Sequence, residues 1–374
     1  MPNTAHAPSA ANTRKPPFRA EHVGSLLRPP ALKAAYRAHA EGKLDDAGLA
    51  AILDREVVEA IRMQEEAGME AITDGEFRRG SWFLGFVKAV EGLGTKPSLF
   101  NFAGDHGAWE CAHAHGKVKR TSGITVDEYK FVHKHTHRTP KVTMPTPSSM
   151  LFYRGEQAAD RSVYPKLDEL YRDLVEVYRA ELRDLAAQGC TYVQLDEVPV
   201  AMLCDPAVRE AAKARGDDPA KLVTLYIDLI NQAVADRPAG MTIGLHLCRG
   251  NYKGQWMAAG GYGPVADELF GRANIDTFFL EYDTERAGDF APLAAIPKDK
   301  TVVLGLVSTK TPETPTADDL VRRVEAAARY VPVERLAVSP QCGFASSVGG
   351  NPVSLDDERR KLGRVAEVAR RVWG

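Results

Sequence analysis

The chain has 374 residues, 44% hydrophobic and 26% charged, enough apolar material to bury a substantial core. Its 48 Lys plus Arg against 50 Asp plus Glu leave a net charge of −2, which argues against a protein built to grip nucleic acid or an acidic membrane surface. No apolar run reaches the roughly 20 residues of a membrane span, and residues 1–17 (MPNTAHAPSAANTRKPP) lack the apolar stretch of a secretory signal, so they read as a disordered lead-in to a cytoplasmic protein.

In chain order, short apolar segments rich in Val, Ile, Leu and Phe fall at residues 19–24, 69–74, 141–145, 192–196, 242–246, 277–281, 302–307 and 336–340. Most are bounded by Gly, Pro or Asp, as buried parallel strands are. Amphipathic helices are expected between them at 46–67, where Leu49, Ile52, Val57, Ile61 and Met63 are apolar, and at 164–188, 219–236 and 317–330. Alternating strands and helices with eight strands predict an α/β (β/α)8 TIM barrel, a single domain over residues 18–374. No G-x-G-x-x-G follows the first strand, so a dinucleotide-binding sheet lacks its fingerprint. Residues 77–140 exceed what one helix needs and predict an elaborated loop over the barrel mouth after the second strand, with an alternating stretch at 121–137 expected as a hairpin.

Active sites of such barrels form at the C-terminal ends of the strands. The fifth segment ends in Gly244-Leu-His-Leu-Cys-Arg-Gly-Asn251, and His246 and Cys248, two apart, share one side of an extended strand. The sixth leaves Glu281 at its tip and the eighth leaves Cys342 there. Imidazole and thiolate suit Zn²⁺, and a carboxylate completes a tetrahedron. Each residue alone has a plain structural reading, a buried Cys above all; four donors at predicted strand ends favour the metal. The remaining cysteines, Cys111, Cys190 and Cys204, suit neither a disulfide framework nor a nucleophile with a paired histidine. His113, His115, His133, His135 and His137 lack matching Cys or carboxylate spacing and read as a solvated loop face, with 133, 135 and 137 on one side of a strand.

HVGSLLRP (22–29), ITDGEFRRG (72–80), VQLDE (193–197), HLCRGN (246–251), FFLEYD (278–283), LGLVSTKTPE (304–313) and SPQCGF (339–344) together carry a resemblance. Over most of residues 18–374 the sequence resembles the catalytic barrel of cobalamin-independent methionine synthases, particularly short single-barrel bacterial relatives. That family implies a zinc-dependent methyltransferase acting on the thiol of homocysteine, with metal ligands matching His246, Cys248, Glu281 and Cys342. It also implies that Ser25 meets the substrate carboxylate and that Glu76 and Asp196 hold its α-ammonium, which suits a buried ammonium. The plain alternatives are a tight turn at Ser25, an ion pair of Glu76 with Arg78 or Arg79, and a rim-ordering Asp196.

A thiol with a pKa of about 8.5 is mostly protonated at neutral pH, and Zn²⁺ removes that proton. The expected sequence of events has the substrate sulfur displace one ligand, Glu281, and attack a donor methyl group. An amine donor needs a general acid, yet Val307 stands where the resemblance places a histidine, and His22 is the replacement candidate. That absence weakens the case for methyltetrahydrofolate, and a methylated corrinoid protein, another folate form or an unusual small methyl donor is left open. Ser148 and Ser149, in MPTPSSM (144–150), are the donor-binding candidates, against a reading as a helix start. Trp82 and Trp256 offer stacking faces, and Arg249 and Asn251 follow the metal ligands. No nucleic-acid or membrane partner is expected; homo-oligomerisation is left open. Competing readings are an alkyltransferase for a coenzyme M-like thiol and a zinc-binding barrel without turnover.

Overall fold

The computed structural model describes residues 15–100 and 109–374. The expected disordered lead-in therefore lies, for residues 1–14, outside the described residues. The strands are β1 (Ala71–Ile72), β2 (Val90–Pro97), β3 (Glu110–Arg120), β4 (Thr139–Pro140), β5 (Val142–Pro145), β6 (Tyr192–Glu197), β7 (Thr242–Leu247), β8 (Thr277–Glu281), β9 (Thr301–Val307) and β10 (Leu336–Pro340).

β5 to β10 form a six-stranded sheet in the order β10-β9-β8-β7-β6-β5, every pair parallel. Their side chains are buried on both faces over almost their whole length, which explains their unbroken apolar sequences. At one end β4 leads into β5 and pairs in parallel with β1. At the other, Ala20 bridges Val338 in parallel, flanked by Glu21 N–H to Val338 O at 2.9 Å and Val338 N–H to Arg19 O at 2.9 Å. Of the expected first strand, 19–24, only this bridge forms ladder structure among the described residues, and Gly24 at its end turns to φ 127°.

The helices lie between the strands, and some have side-chain-capped starts. Asp218 caps Pro219–Val234 by accepting from the Ala220 and Lys221 N–H groups, and Ser354 with Asp357 forms a capping box on Leu355–Trp373. Leu167–Ala187 buries Leu170, Leu174, Val177, Tyr178 and Leu185 along one stripe. These agree with the expected helices to within a few residues.

The segment after β1 corrects two expectations. Residues 121–137 are not a hairpin: Val126–His135 is a helix, burying Val126, Tyr129 and Val132 at a three-residue period. The hairpin lies earlier, where β2 and β3 pair antiparallel. His113 is not on a solvated face either; it is buried in β3, with Nδ1 3.1 Å from Gln157 O and Nε2 2.9 Å from Asp160 Oδ1.

A second, small apolar cluster gathers Phe18, Ala71, Tyr192, Phe279, Val303 and Ala337, drawn from β1, β6, β8, β9 and β10. Beside it Lys141 and Glu21 form a fully buried ion pair at 3.0 Å. The Tyr192 hydroxyl donates to Glu21 Oε1 at 2.9 Å, and Lys141 Nζ lies 5.0 Å from the Phe279 ring centroid.

Candidate metal and substrate site

The ladder register sets the site. Asp196 on β6 is level with His246 on β7, and Glu281 on β8 is level with Gly305 on β9. β10 shifts register at Ser339/Pro340, and the Gln341 N–H bonds to Val307 O at 2.8 Å, which delivers Cys342 beyond the strand end. His246, Cys248 and Cys342 converge there, all buried, their donor atoms within 4.8 Å of one another. The two sulfurs are 3.3 Å apart.

This donor set fits Zn²⁺. Two thiols and an imidazole are its preferred ligands, and three protein donors with an open position are the pattern of catalytic sites. Both ring nitrogens of the buried His246 lack a hydrogen-bond partner among the described residues, an arrangement that costs free energy unless something else binds them. The electrostatics point the same way. The hydrogen-bonded contact with Cys248, and then His246, hold Cys342 well below the ordinary thiol range despite burial. The same contact, and burial, push Cys248 up.

Glu281, expected as the fourth ligand, is not in that cluster. Its carboxylate is held by Arg286 Nη2 and by the Arg249 N–H at 3.1 Å. Burial raises its pKa, but Lys310, Arg249 and Arg286 outweigh that and hold it at about 2. Arg249 is itself fixed, with Nε donating to Gly260 O at 2.8 Å and the guanidinium 4.3 Å from the Tyr262 ring centroid. Lys310 is a feature the sequence reading passed over. It is 7% exposed, and Nζ has no hydrogen-bond partner among the described residues.

Ser25, Glu76 and Asp196 border the same cavity as His246, Cys248 and Cys342. Glu76 Oε1 accepts from Thr143 Oγ1 at 2.9 Å, while Oε2 is unpartnered among the described residues. Glu76 sits at φ 58°, the left-handed region that a non-glycine residue occupies at a cost; its N–H bonds to Asp74 Oδ1 at 2.8 Å. Burial raises the Glu76 carboxyl against the pull of Arg79 and Arg28. Burial, opposed by His246, also raises Asp196 to about 7, while Gln194 Nε2 donates to Asp196 Oδ1 at 2.7 Å. Both carboxyls gain by meeting a cation. Ser25 is pressed against Gly343, where a Cβ would lie 1.8 Å from Ser25 Oγ.

The other candidates lie elsewhere. His22 is 1% exposed, does not border the cavity, and bonds through Nε2 to Ala71 O at 2.9 Å. Burial and then Lys141 hold it neutral, at about 3, so it carries no imidazolium proton for general-acid catalysis near neutral pH. Ser148 donates to the Glu197 carboxylate and Ser149 to Asp196 O at 3.4 Å. They sit in the short 3₁₀ helix Pro147–Met150 behind the end of β6, not on the cavity. Trp82 and Asn251 do border it, whereas Trp256 stacks under Arg286 on the surface. Trp109 and Tyr153 complete the wall; they come from loops that sequence periodicity does not place. Burial pushes Cys111 and Cys190 up to about 12 and Cys204 up to about 11, leaving them inert thiols. Among the described residues no helix is long and apolar enough to cross a membrane.

Known proteins resemble this chain in sequence and fold. Uncharacterized protein YxjH of Bacillus subtilis is 38% identical over 366 residues, covering 96% of each chain. A methionine synthase of Pyrococcus abyssi is 26% identical over 328 residues, covering 86% of this chain and 85% of its own. Among solved structures, a candidate vitamin-B12-independent methionine synthase from Listeria monocytogenes superposes with TM-score 0.76 at 32% identity, covering 96% of this chain and 99% of its own. A B12-independent methionine synthase from Shewanella sp. W3-18-1, in complex with selenomethionine, shares the fold with TM-score 0.74 at 20% identity, covering 95% and 97%. The profile described as "Cobalamin-independent synthase, Catalytic domain" matches residues 18–356, and the chain belongs to that methionine synthase-like methyltransferase family.

Proposed function

We propose that this protein is a zinc-dependent S-methyltransferase that moves a methyl group to the thiol of homocysteine to give methionine, on a closed (β/α)8 barrel formed by residues 18–374. The observation that carries the reading is the buried His246–Cys248–Cys342 cluster in the same cavity wall as Glu76 and Asp196. The cluster of inward side chains from β1, β6, β8, β9 and β10 supports the barrel. A cytoplasmic setting belongs to the same proposal, since reducing conditions keep two sulfurs 3.3 Å apart as thiols.

His246, Cys248 and Cys342 would hold the ion, with Glu281 as fourth donor when it leaves Arg286 and no substrate sulfur is present. Bound Zn²⁺ lowers the pKa of a coordinated thiol and so supplies a thiolate at neutral pH. The chain's own residues do the rest. Glu76 Oε2 and the Asp196 carboxylate receive the α-ammonium, while Ser25, held in place by Gly343, meets the α-carboxylate. Trp82, Trp109, Tyr153 and Met257 wall the cavity with apolar surface, keeping water from the nucleophile. A sulfonate-bearing thiol is disfavoured, since neither Lys nor Arg borders the cavity among the described residues.

The test is zinc-loaded protein incubated with homocysteine and a panel of methyl donors, with methionine measured by mass spectrometry. Methionine formed by the wild type and lost in Asp196→Ala supports the reading. Zinc-loaded protein that alkylates coenzyme M but not homocysteine overturns it.

A further inference from the structure

The amino-acid half of the cavity has its recognition groups, but the methyl donor has to be read from what is left. Three aromatic side chains, Trp82, Trp109 and Tyr153, border the cavity. The Trp109 and Tyr153 rings meet edge to face, with centroids 4.7 Å apart and planes 80° apart, so they form two sides of a corner. Phe83 links the remaining ring to them, 5.6 Å from Trp82 and 6.5 Å from Trp109. Two carboxyls, Glu76 and Asp196, and two cysteine sulfurs border the same cavity, and no Lys or Arg borders it among the described residues.

We propose that the methyl donor this cavity accepts is a small methyl-onium cation, a sulfonium or a quaternary ammonium, seated against Trp82, Trp109 and Tyr153. The inference rests on the methyltransferase reading above. Aromatic rings meeting edge to face are a recognition pattern for methylated cations, attracted by the ring quadrupole. An anionic donor such as a folate with a glutamate tail would meet no Lys or Arg on the cavity wall itself among the described residues.

The chemistry fits as well. The homocysteine thiol releases its proton to solvent, and its sulfur forms a bond to the methyl carbon. The bond from that carbon to the onium atom breaks, with its electron pair staying on the donor. The donor leaves as a neutral thioether or tertiary amine, so no proton has to be delivered to it. That suits a cavity bordered by no histidine other than His246 of the sulfur cluster among the described residues.

The test uses zinc-loaded full-length protein in two measurements. In the first, trimethylsulfonium and tetramethylammonium are titrated against tert-butanol, a neutral molecule of similar size, with tryptophan fluorescence and ligand NMR as readouts. At least one cation is expected to bind about tenfold or more tighter than tert-butanol. Trp82→Leu and, separately, Trp109→Leu are expected to weaken the cation by roughly fivefold to thirtyfold and tert-butanol by no more than about twofold. Equal affinity for cation and neutral isostere, or cation binding indifferent to both substitutions, overturns the proposal.

In the second, homocysteine is supplied with deuteromethyl-labelled trimethylsulfonium, tetramethylammonium or methyltetrahydrofolate. Labelled methionine from an onium donor supports the proposal, and which one yields it separates sulfonium from ammonium. Labelled methionine from methyltetrahydrofolate alone overturns the donor assignment and leaves the methyltransferase reading standing. Cation binding with no methyl transfer from any donor overturns both.

Discussion

Replacing Glu358 by Gln isolates a buried carboxyl that ties the C-terminal helix to the turn carrying Ser25. Glu358 is 2% exposed and its Oε2 accepts the Leu27 N–H at 2.8 Å. Burial, only partly opposed by that hydrogen bond and by Arg359 and Arg28, raises its pKa from 4.5 to about 8. Folding therefore takes up a proton between those values. Its stabilising contribution is complete below about 4.5 and is lost as pH rises through about 8. At about 1.4 kcal/mol per tenfold change in proton affinity, the loss approaches roughly 5 kcal/mol. Glutamine keeps an acceptor for Leu27 and carries no charge, so the variant escapes this loss. An unfolding entropy of about 2.1 cal/mol/K per residue over 374 residues is roughly 0.8 kcal/mol/K, so the full effect corresponds to about 6 °C in Tm. Calorimetry from pH 5 to 9 on zinc-loaded protein is the assay. The two proteins should melt together at pH 5, and Glu358→Gln should melt several degrees higher at pH 9. Parallel Tm profiles across the range would refute the reasoning.

Other outcomes follow from the same contacts. Lys141→Met leaves Glu21 charged and unpaired in a fully buried position; a loss of about 3–5 kcal/mol is expected, read as a lower urea midpoint, and an unchanged midpoint would contradict the ion pair. Gly343→Ala places a Cβ 1.8 Å from Ser25 Oγ, so KM for homocysteine should rise about tenfold with kcat within about twofold; an unchanged KM would remove Ser25 from the substrate site. Cys204→Ala, which alters a thiol buried outside the cavity, should leave zinc content and methyl transfer unchanged while costing about 1–2 kcal/mol of stability.

Much of the fold was legible because β6 to β10 are buried on both faces, and such strands announce themselves as unbroken apolar runs. The rule that sites form at the C-terminal strand ends then picked out His246, Cys248 and Cys342. The misreading of residues 121–137 has a physical origin. Tyr129, Phe131, His133 and His135 alternate as a strand would, but the buried positions are Val126, Tyr129 and Val132, a helical spacing.

Glu281 shows a different limit. Its place at the tip of β8 was legible, but the choice between metal and Arg286 is made by a side chain from the following 3₁₀ turn. Ser148 and Ser149 likewise lost any role on the cavity to the Glu197 carboxylate and the Asp196 carbonyl. Trp109 and Tyr153 reach the cavity from irregular segments, where no periodicity predicts which way a side chain faces.

The most direct test of the central claim is the metal content of the purified chain and of Cys342→Ser, each dialysed against limiting Zn²⁺ and assayed by plasma mass spectrometry. About one zinc per wild-type chain, falling to a small fraction in the variant while its circular dichroism is kept, is the predicted result. A wild-type chain that takes up no zinc, or a variant that binds it as fully as the wild type, would contradict it.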